Sequence, residues 1–309
     1  MEEKENIYSA GEAKPDKLIR CITSDGAVMA IAVETTGIVY TAAKTHLTSK
    51  AATAALGRLL TASSMMGVML KQSTATLTLR VKGDGPIGAV VAVADSKGNC
   101  RGYVENPVID TEYHENGKID VGKAVGKNGT IHVLRDYGTG DPYIGVSELV
   151  SGEIAEDITG YYAISEQTPT VCVLGVLVDK DDGNVMLAGG LLIQLLPGAT
   201  DKTIETLEEN IKHLEPVTTM LAKGMSLKEI VDKALNGFRV ELLDEQEINY
   251  VCSCSKERVI KAVVSLSDDE IRSLYDDKKG CALAKCHFCN KKYRFSKKDL
   301  EDIIEQKNR

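Results

Sequence analysis

Tryptophan is absent from this 309-residue chain, and phenylalanine occurs only three times. A core built without large aromatics must come from Val, Ile, Leu, Ala and Met. At 43% hydrophobic residues the chain has enough of them to exclude wholesale disorder. Long apolar runs are missing too. The stretch "MLAGGLLIQLLPGA" (186–199) comes nearest, but it holds Gln194 and falls short of the roughly 18–20 residues of a membrane span. Nor is there a basic excess: the net charge of −8 argues against a generic binder of nucleic acid or anionic membrane. Catalytic motifs are equally scarce. His46, His114, His132 and His213 are scattered, with no H-E-x-x-H or G-x-S-x-G beside them, and an enzyme is not expected. "GDGPIGAV" (83–90) matches a glycine-rich phosphate loop in letters only. Pro86 and the β-like "AVVAVA" after it oppose the helix such a loop must open, so Gly83, Gly85 and Gly88 read as turn and packing glycines.

The charge is unevenly spread. From Val251 onward there are 14 Lys and Arg against 10 Asp and Glu, whereas residues 201–250 carry 11 acids and 6 bases. A mildly basic, cysteine-rich tail thus follows an acidic stretch. The opening "MEEKENIYSAGEAKPDK" has acids where a signal peptide needs bases, which points to the cytoplasm. There thiols stay reduced, and paired cysteines signal metal or redox chemistry more often than a disulfide framework.

The predicted fold class is α+β: a sheet-and-helix domain, a helical linker and a small zinc-binding module. Residues 17–45 read as strands, with "SDG" as a turn, and 48–71 as a helix capped by Thr48 or Ser49. Strands are expected from Thr74 to Pro197, interrupted by a helix over 146–165. "LPGATDK" ends this first domain, residues 1–197. In the linker, residues 198–250, Ile204, Leu207, Ile211 and Leu214 keep helical spacing. A second helix, "SLKEIVDKALNG", carries Ile230 and Leu235 between a Ser226–Glu229 capping box and an Asn-Gly stop. Helices this acidic, with narrow apolar stripes, must dock on a neighbour or stay marginal. The tail, residues 251–309, has further helix starts at Ser255, Ser267 and Ser296.

Eight cysteines are present, and four fall into two pairs. Cys252 and Cys254 form C-x-C; after 31 residues Cys286 and Cys289 form C-x-x-C. Zinc takes four tetrahedral ligands and favours thiolates, so the four are expected to bind one Zn²⁺. His287 lies between two of them and reads as exposed. The site could be an inert staple for a module too small for its own core, or a redox switch, since oxidising either pair removes two ligands. "KKYRFSKK" (291–298) sets five bases around Tyr293 and Phe295, which keeps a zinc-ribbon protein binding nucleic acid or ribosomes as the alternative.

The tail "DEQEINYVCSCSKERV" with "CHFCNKKYRFSKKDL" resembles the redox-regulated 33 kDa chaperonin family, heat-shock holdases activated by oxidation. The likeness extends through "RVKGDGPIGAVVAVADSKGNCRGYVENP" (80–107) and "LAGGLLIQLLPGA" (187–199). The resemblance implies an ATP-independent chaperone, inactive while Cys252, Cys254, Cys286 and Cys289 hold zinc. It implies disulfides Cys252–Cys254 and Cys286–Cys289 on oxidation, loss of zinc and an unfolded linker. Unfolding client proteins would then be held on the exposed surface, and the chain would form a homodimer. Ile204, Leu207, Ile211, Leu214, Ile230 and Leu235 are the candidate covering contacts. Cys281 departs from the family's four-cysteine pattern and reads as a bystander. Cys21, Cys100 and Cys172 read as small buried hydrophobes.

Overall fold

The computed structural model describes residues 15–307, and its chain divides into one unit ending at Val251 and another beginning at Cys252. The acidic opening, residues 1–14, lies outside the described residues. The first unit starts with β1 (Asp16–Thr23), β2 (Val28–Glu34), α1 (Thr36–His46) and α2 (Lys50–Gly67). There follow β3 (Thr76–Lys82), β4 (Ala89–Asp95), β5 (Cys100–Val104), α3 (Val121–Val125), β6 (Thr130–Asp136) and β7 (Tyr143–Glu148). Next come α4 (Ala155–Ile164), β8 (Thr170–Val178), β9 (Val185–Leu195), α5 (Asp201–Lys212), α6 (Val217–Ala222), α7 (Leu227–Ala234) and β10 (Val240–Ile248). The second unit holds α8 (Lys256–Val263), α9 (Asp268–Ser273), β11 (Ala282–Lys285), β12 (Lys292–Phe295) and α10 (Lys297–Lys307).

Two antiparallel five-stranded sheets, β10-β1-β2-β9-β8 and β5-β4-β3-β6-β7, make the first unit an α+β fold. Helix α2 packs against both, and small residues make the close approach possible. A Cβ at Gly67 would stand 2.5 Å from the Asp95 carbonyl oxygen, and one at Gly190 would meet Thr61 and Met65. Nearly all of α2 is buried, and its Leu56, Leu59, Leu60 and Met65 join β3 and β4 side chains in one core. Among the described residues, no helix is long and apolar enough to cross a membrane.

Besides the short helix α3, which lies in a stretch expected as strand, three stretches differ from the sequence reading. Residues 36–45, expected as strand, belong to α1. Its first turn is capped from a distance, because the Asp16 carboxylate accepts the N–H groups of Gly37 at 2.9 Å and Ile38 at 2.6 Å. That tertiary cap overrides the β-branched composition. The single helix expected over 146–165 is instead the end of β7, a turn and α4. Asp157 fixes the turn by accepting from Val150 and Ser151 at 2.8 and 3.1 Å. Residues 240–248, placed in a helical linker, are strand β10. It is an edge strand, mostly exposed but ending on the buried Ile248, and its acids pair across to β1 as Lys17–Glu245 and Arg20–Asp244.

Helices α5, α6 and α7 cover the outer face of the first sheet. Ser226 and Glu229 do form a reciprocal capping box, and Thr200 with Thr203 forms another. Leu207, Ile230 and Leu235 are buried there with Ile19, Ala30 and Leu191, and Ile211 and Leu214 pack half-buried against them. Ile204 is half-buried and lies outside this cluster, while Thr203 is buried on the Leu207 face of the helix. Leu227, Val231, Val217 and Met220 are buried contacts that spacing alone had not singled out.

Glu215 joins this layer together, accepting from Lys223 after α6 and Lys233 on α7. The two lysine hydrogen bonds hold its pKa down to about 2, from an ordinary 4.5. A depressed carboxylate contributes stability above its unfolded pKa and loses it as pH falls through the folded one. Acid titration of the melting temperature between pH 4.5 and 2 should therefore be shallower in Glu215→Gln than in the unsubstituted protein. Ile230→Ala, at a fully buried position, should cost about 2–5 kcal/mol in chemical denaturation of the first unit.

Candidate metal centre

The second unit has a small core. Val263, Ile271, Ala282, Tyr293, Phe295, Leu300, Ile303 and Ile304 are its buried apolar residues. A core of this size leaves a domain marginal without a staple. Ser255, Ser267 and Ser296 cap α8, α9 and α10 by accepting from Arg258, Glu270 and Asp299, as their sequence spacing predicts.

The Cys286–Cys289 pair sits on a chain turn, and the Cys252–Cys254 pair leads into α8. The turn joining β11 to β12 is closed by Lys291 accepting from Cys286 N–H at 2.9 Å and Cys286 accepting from Asn290 at 2.9 Å. Asn290 takes φ 59°, a left-handed conformation Asn tolerates, and the chain reverses directly after Cys289. On the other side, Cys254 immediately precedes the Ser255 cap of α8, while Arg258 donates to Ser253 Oγ at 2.7 Å. The four sulfurs of Cys252, Cys254, Cys286 and Cys289 lie within 4.8 Å of one another. Cys252 is 3.7 Å from Cys286 and Cys254 is 3.3 Å from Cys289. A tetrahedron with metal–sulfur bonds of about 2.3 Å has edges of about 3.8 Å, so the donor set fits one thiophilic cation.

Electrostatics point the same way. Burial, then hydrogen bonding among the sulfurs, pushes Cys252 up to about 12, and Cys289 is raised as well. At Cys254 burial is outweighed by hydrogen bonds from Tyr293, Cys289, Cys252 and Cys286, which bring it down to about 7. The raised Cys252 and Cys289 beside the lowered Cys254 show charge held unevenly among the sulfurs; a bound cation would favour the thiolate form of its ligands. Cys281 stands outside the group, in a backbone bridge with Asp276. Cys21, Cys100 and Cys172 are buried in the first unit, where burial raises the thiol pKa of each. His287 does not belong to the converging ligand set.

Two other signals take structural roles. Tyr293 and Phe295 are buried, with Lys291 and Lys256 over their ring faces at 5.4 and 5.1 Å, so neither offers a platform for stacking bases. Gly83 and Gly85 lie against the backbone of Ala124, Val125 and Gly126 in the β3–β4 turn, where a Cβ would clash. One grouping was invisible in the sequence. His114 meets Asp120 at 3.6 Å and Glu153 at 3.4 Å, with Arg58 paired to Glu153. Burial works against the Glu153 carboxylate, yet Arg58 and the Gly122 N–H hold its pKa below the ordinary range. Glu153 thereby ties His114, on the segment between β5 and α3, and the Gly122 N–H to the turn leading into α4 by hydrogen bonds.

The Hsp33 protein family model matches residues 16–296. This chain belongs to the Hsp33 family. The "33 kDa chaperonin" of Clostridioides difficile is 44% identical over 94% of this chain and 99% of its own length. That of Acetivibrio thermocellus is also 44% identical, over 94% and 97%. The crystal structure of the 33 kDa chaperonin from Thermotoga maritima superposes with a TM-score of 0.85 at 33% identity, covering 96% of this chain and 99% of that one. The fold is thus that of an Hsp33 protein, and the family's function is that of a chaperone.

Cobalt(II) titrated into the reduced protein should give an intense sulfur-to-metal charge-transfer band that saturates at one equivalent. Cys286→Ser should abolish tight binding, and Cys281→Ser should leave the titration unchanged.

Proposed function

We propose that this Hsp33-family chain is a redox-switched, ATP-independent holdase. The observation that carries the reading is the convergence of four thiols from two chain segments on one tetrahedral site in a unit with little core of its own. Zinc is the assigned ion, held by Cys252, Cys254, Cys286 and Cys289; when bound, it supplies the positive charge that lets four thiolates share the site. A reducing compartment, the cytoplasm, keeps the sulfurs in that form.

Oxidation changes what the sulfurs do. A thiolate attacks peroxide, the O–O bond breaks, and a sulfenic acid and hydroxide form. The neighbouring thiolate then attacks that sulfur and expels a second hydroxide, leaving a disulfide; the two hydroxides leave to solvent, where buffer acid protonates them to water. The assigned pairs are Cys252–Cys254 and Cys286–Cys289. Cross pairs such as Cys254–Cys289 would still tie the two segments together, whereas pairing within each motif cuts every sulfur link between them. Only the second outcome releases the α8 end of the unit from the β11–β12 hairpin. Loss of order would then pass up the chain into the linker, residues 198–250, between a core domain of 1–197 and a switch module of 251–309.

The linker's apolar stripes and the sheet face beneath them are the proposed client surface. Leu207, Ile211, Leu214, Ile230 and Leu235 cover Ile19, Ala30 and Leu191 in the closed form. Uncovering both would present a large apolar patch to unfolding proteins. Ile204 is assigned to the client-facing rather than the covering set, since it is half-buried outside that cluster. The oxidised chain is assigned as a homodimer.

Peroxide at raised temperature should release one zinc per chain, produce the two disulfides within their motifs by peptide mapping, and switch on suppression of client aggregation without ATP. Sedimentation should show the chain doubling in mass. Equal suppression by the reduced, zinc-loaded chain would overturn the switch.

A further inference from the structure

A side-chain hydroxyl from outside the cysteines reaches the sulfur cluster. The Tyr293 hydroxyl donates to Cys254 Sγ at 3.1 Å. The ring is fixed: Tyr293 is 8% exposed, its backbone is in register with Ala284 on β11, and Phe295 is buried two residues on. The Lys291 ammonium, 5.4 Å from the ring centroid, draws on the π-density and favours a stronger hydroxyl donor. Tyr293 belongs to the hairpin that carries Cys286 and Cys289, whereas Cys254 belongs to the other motif. The hydrogen bond therefore spans the same two segments that the sulfurs tie together.

We infer that Tyr293 is a positioning residue of the thiol centre: its hydroxyl holds Cys254 in the ligand set and sets how readily peroxide breaks that set. The inference rests on the zinc reading above. A hydrogen bond to a thiolate stabilises its charge, so it favours the deprotonated ligand form that a metal needs. The same bond draws electron density from sulfur and lowers its nucleophilicity toward peroxide. Tight metal retention and slow oxidation then share one cause.

Tyr293→Phe removes the hydroxyl and keeps the ring, and Tyr275→Phe is its matched control on the same core. In competition with a chromophoric chelator, zinc affinity should fall about 10–100-fold in Tyr293→Phe and stay unchanged in Tyr275→Phe. With cobalt as probe, the charge-transfer band should move to lower energy only in Tyr293→Phe, a shift that altered packing alone would not produce. Zinc loss under peroxide should be several-fold faster in that variant. Unsubstituted protein that binds no zinc would overturn the metal reading and this inference with it. Zinc bound normally by the unsubstituted chain, with affinity and band position unmoved in Tyr293→Phe or shifted alike in both variants, would overturn the role of Tyr293 alone.

Discussion

Four sulfurs within 4.8 Å of one another cannot all carry charge without a cation among them. The second unit depends on that constraint. Its buried apolar set is short, its helices are one to three turns long, and its hairpin pairs only four residues a side. Local devices such as the serine caps and the Asn290 turn bring each cysteine pair to the right place. None of them joins the two segments strongly. The sulfurs do join them, and the sulfurs have two stable ways of being satisfied: around a metal, or as covalent pairs.

The first unit is built differently, and the contrast bears on function. Helix α2 is sealed between two sheets with small residues at the contacts, an arrangement that stands on packing alone. The stretch from α5 to β10 is lighter. Its helices present single apolar stripes to one sheet face, and its strand is an edge held to β1 with acids facing water. Beyond β10, Tyr250 bridges to Cys100 on β5, and its hydroxyl donates to the Gly102 carbonyl at 3.0 Å. Val251 N–H donates to the Cys100 carbonyl at 3.0 Å, one residue before Cys252. A chain path pinned at that point passes directly from the thiol motif into the lightly held layer. In the proposed switch, chain continuity is the route by which sulfur chemistry reaches the docked helices.

How much of this was legible in the sequence followed the range of the forces involved. The capping boxes at Ser226 and Ser267 span four residues, and both the starts and their chemistry could be read directly. The four cysteines were equally plain, because metal chemistry demands their type and spacing. Helix α1 was not legible, since its cap arrives from Asp16 across the fold. Strand β10 hid behind an acidic composition that reflects its edge position. The Tyr293–Cys254 contact and the His114 group join residues 39 apart, and 6 and 39 apart, through folding alone.

The central claim is that order in the linker follows the state of the thiols. Hydrogen–deuterium exchange measures that order amide by amide, comparing reduced, zinc-loaded protein with protein oxidised by peroxide at raised temperature. The account predicts that α5, α7 and β10 lose protection on oxidation while α2, β3 and β4 keep theirs. Unchanged protection across residues 201–248 after both disulfides have formed would contradict it.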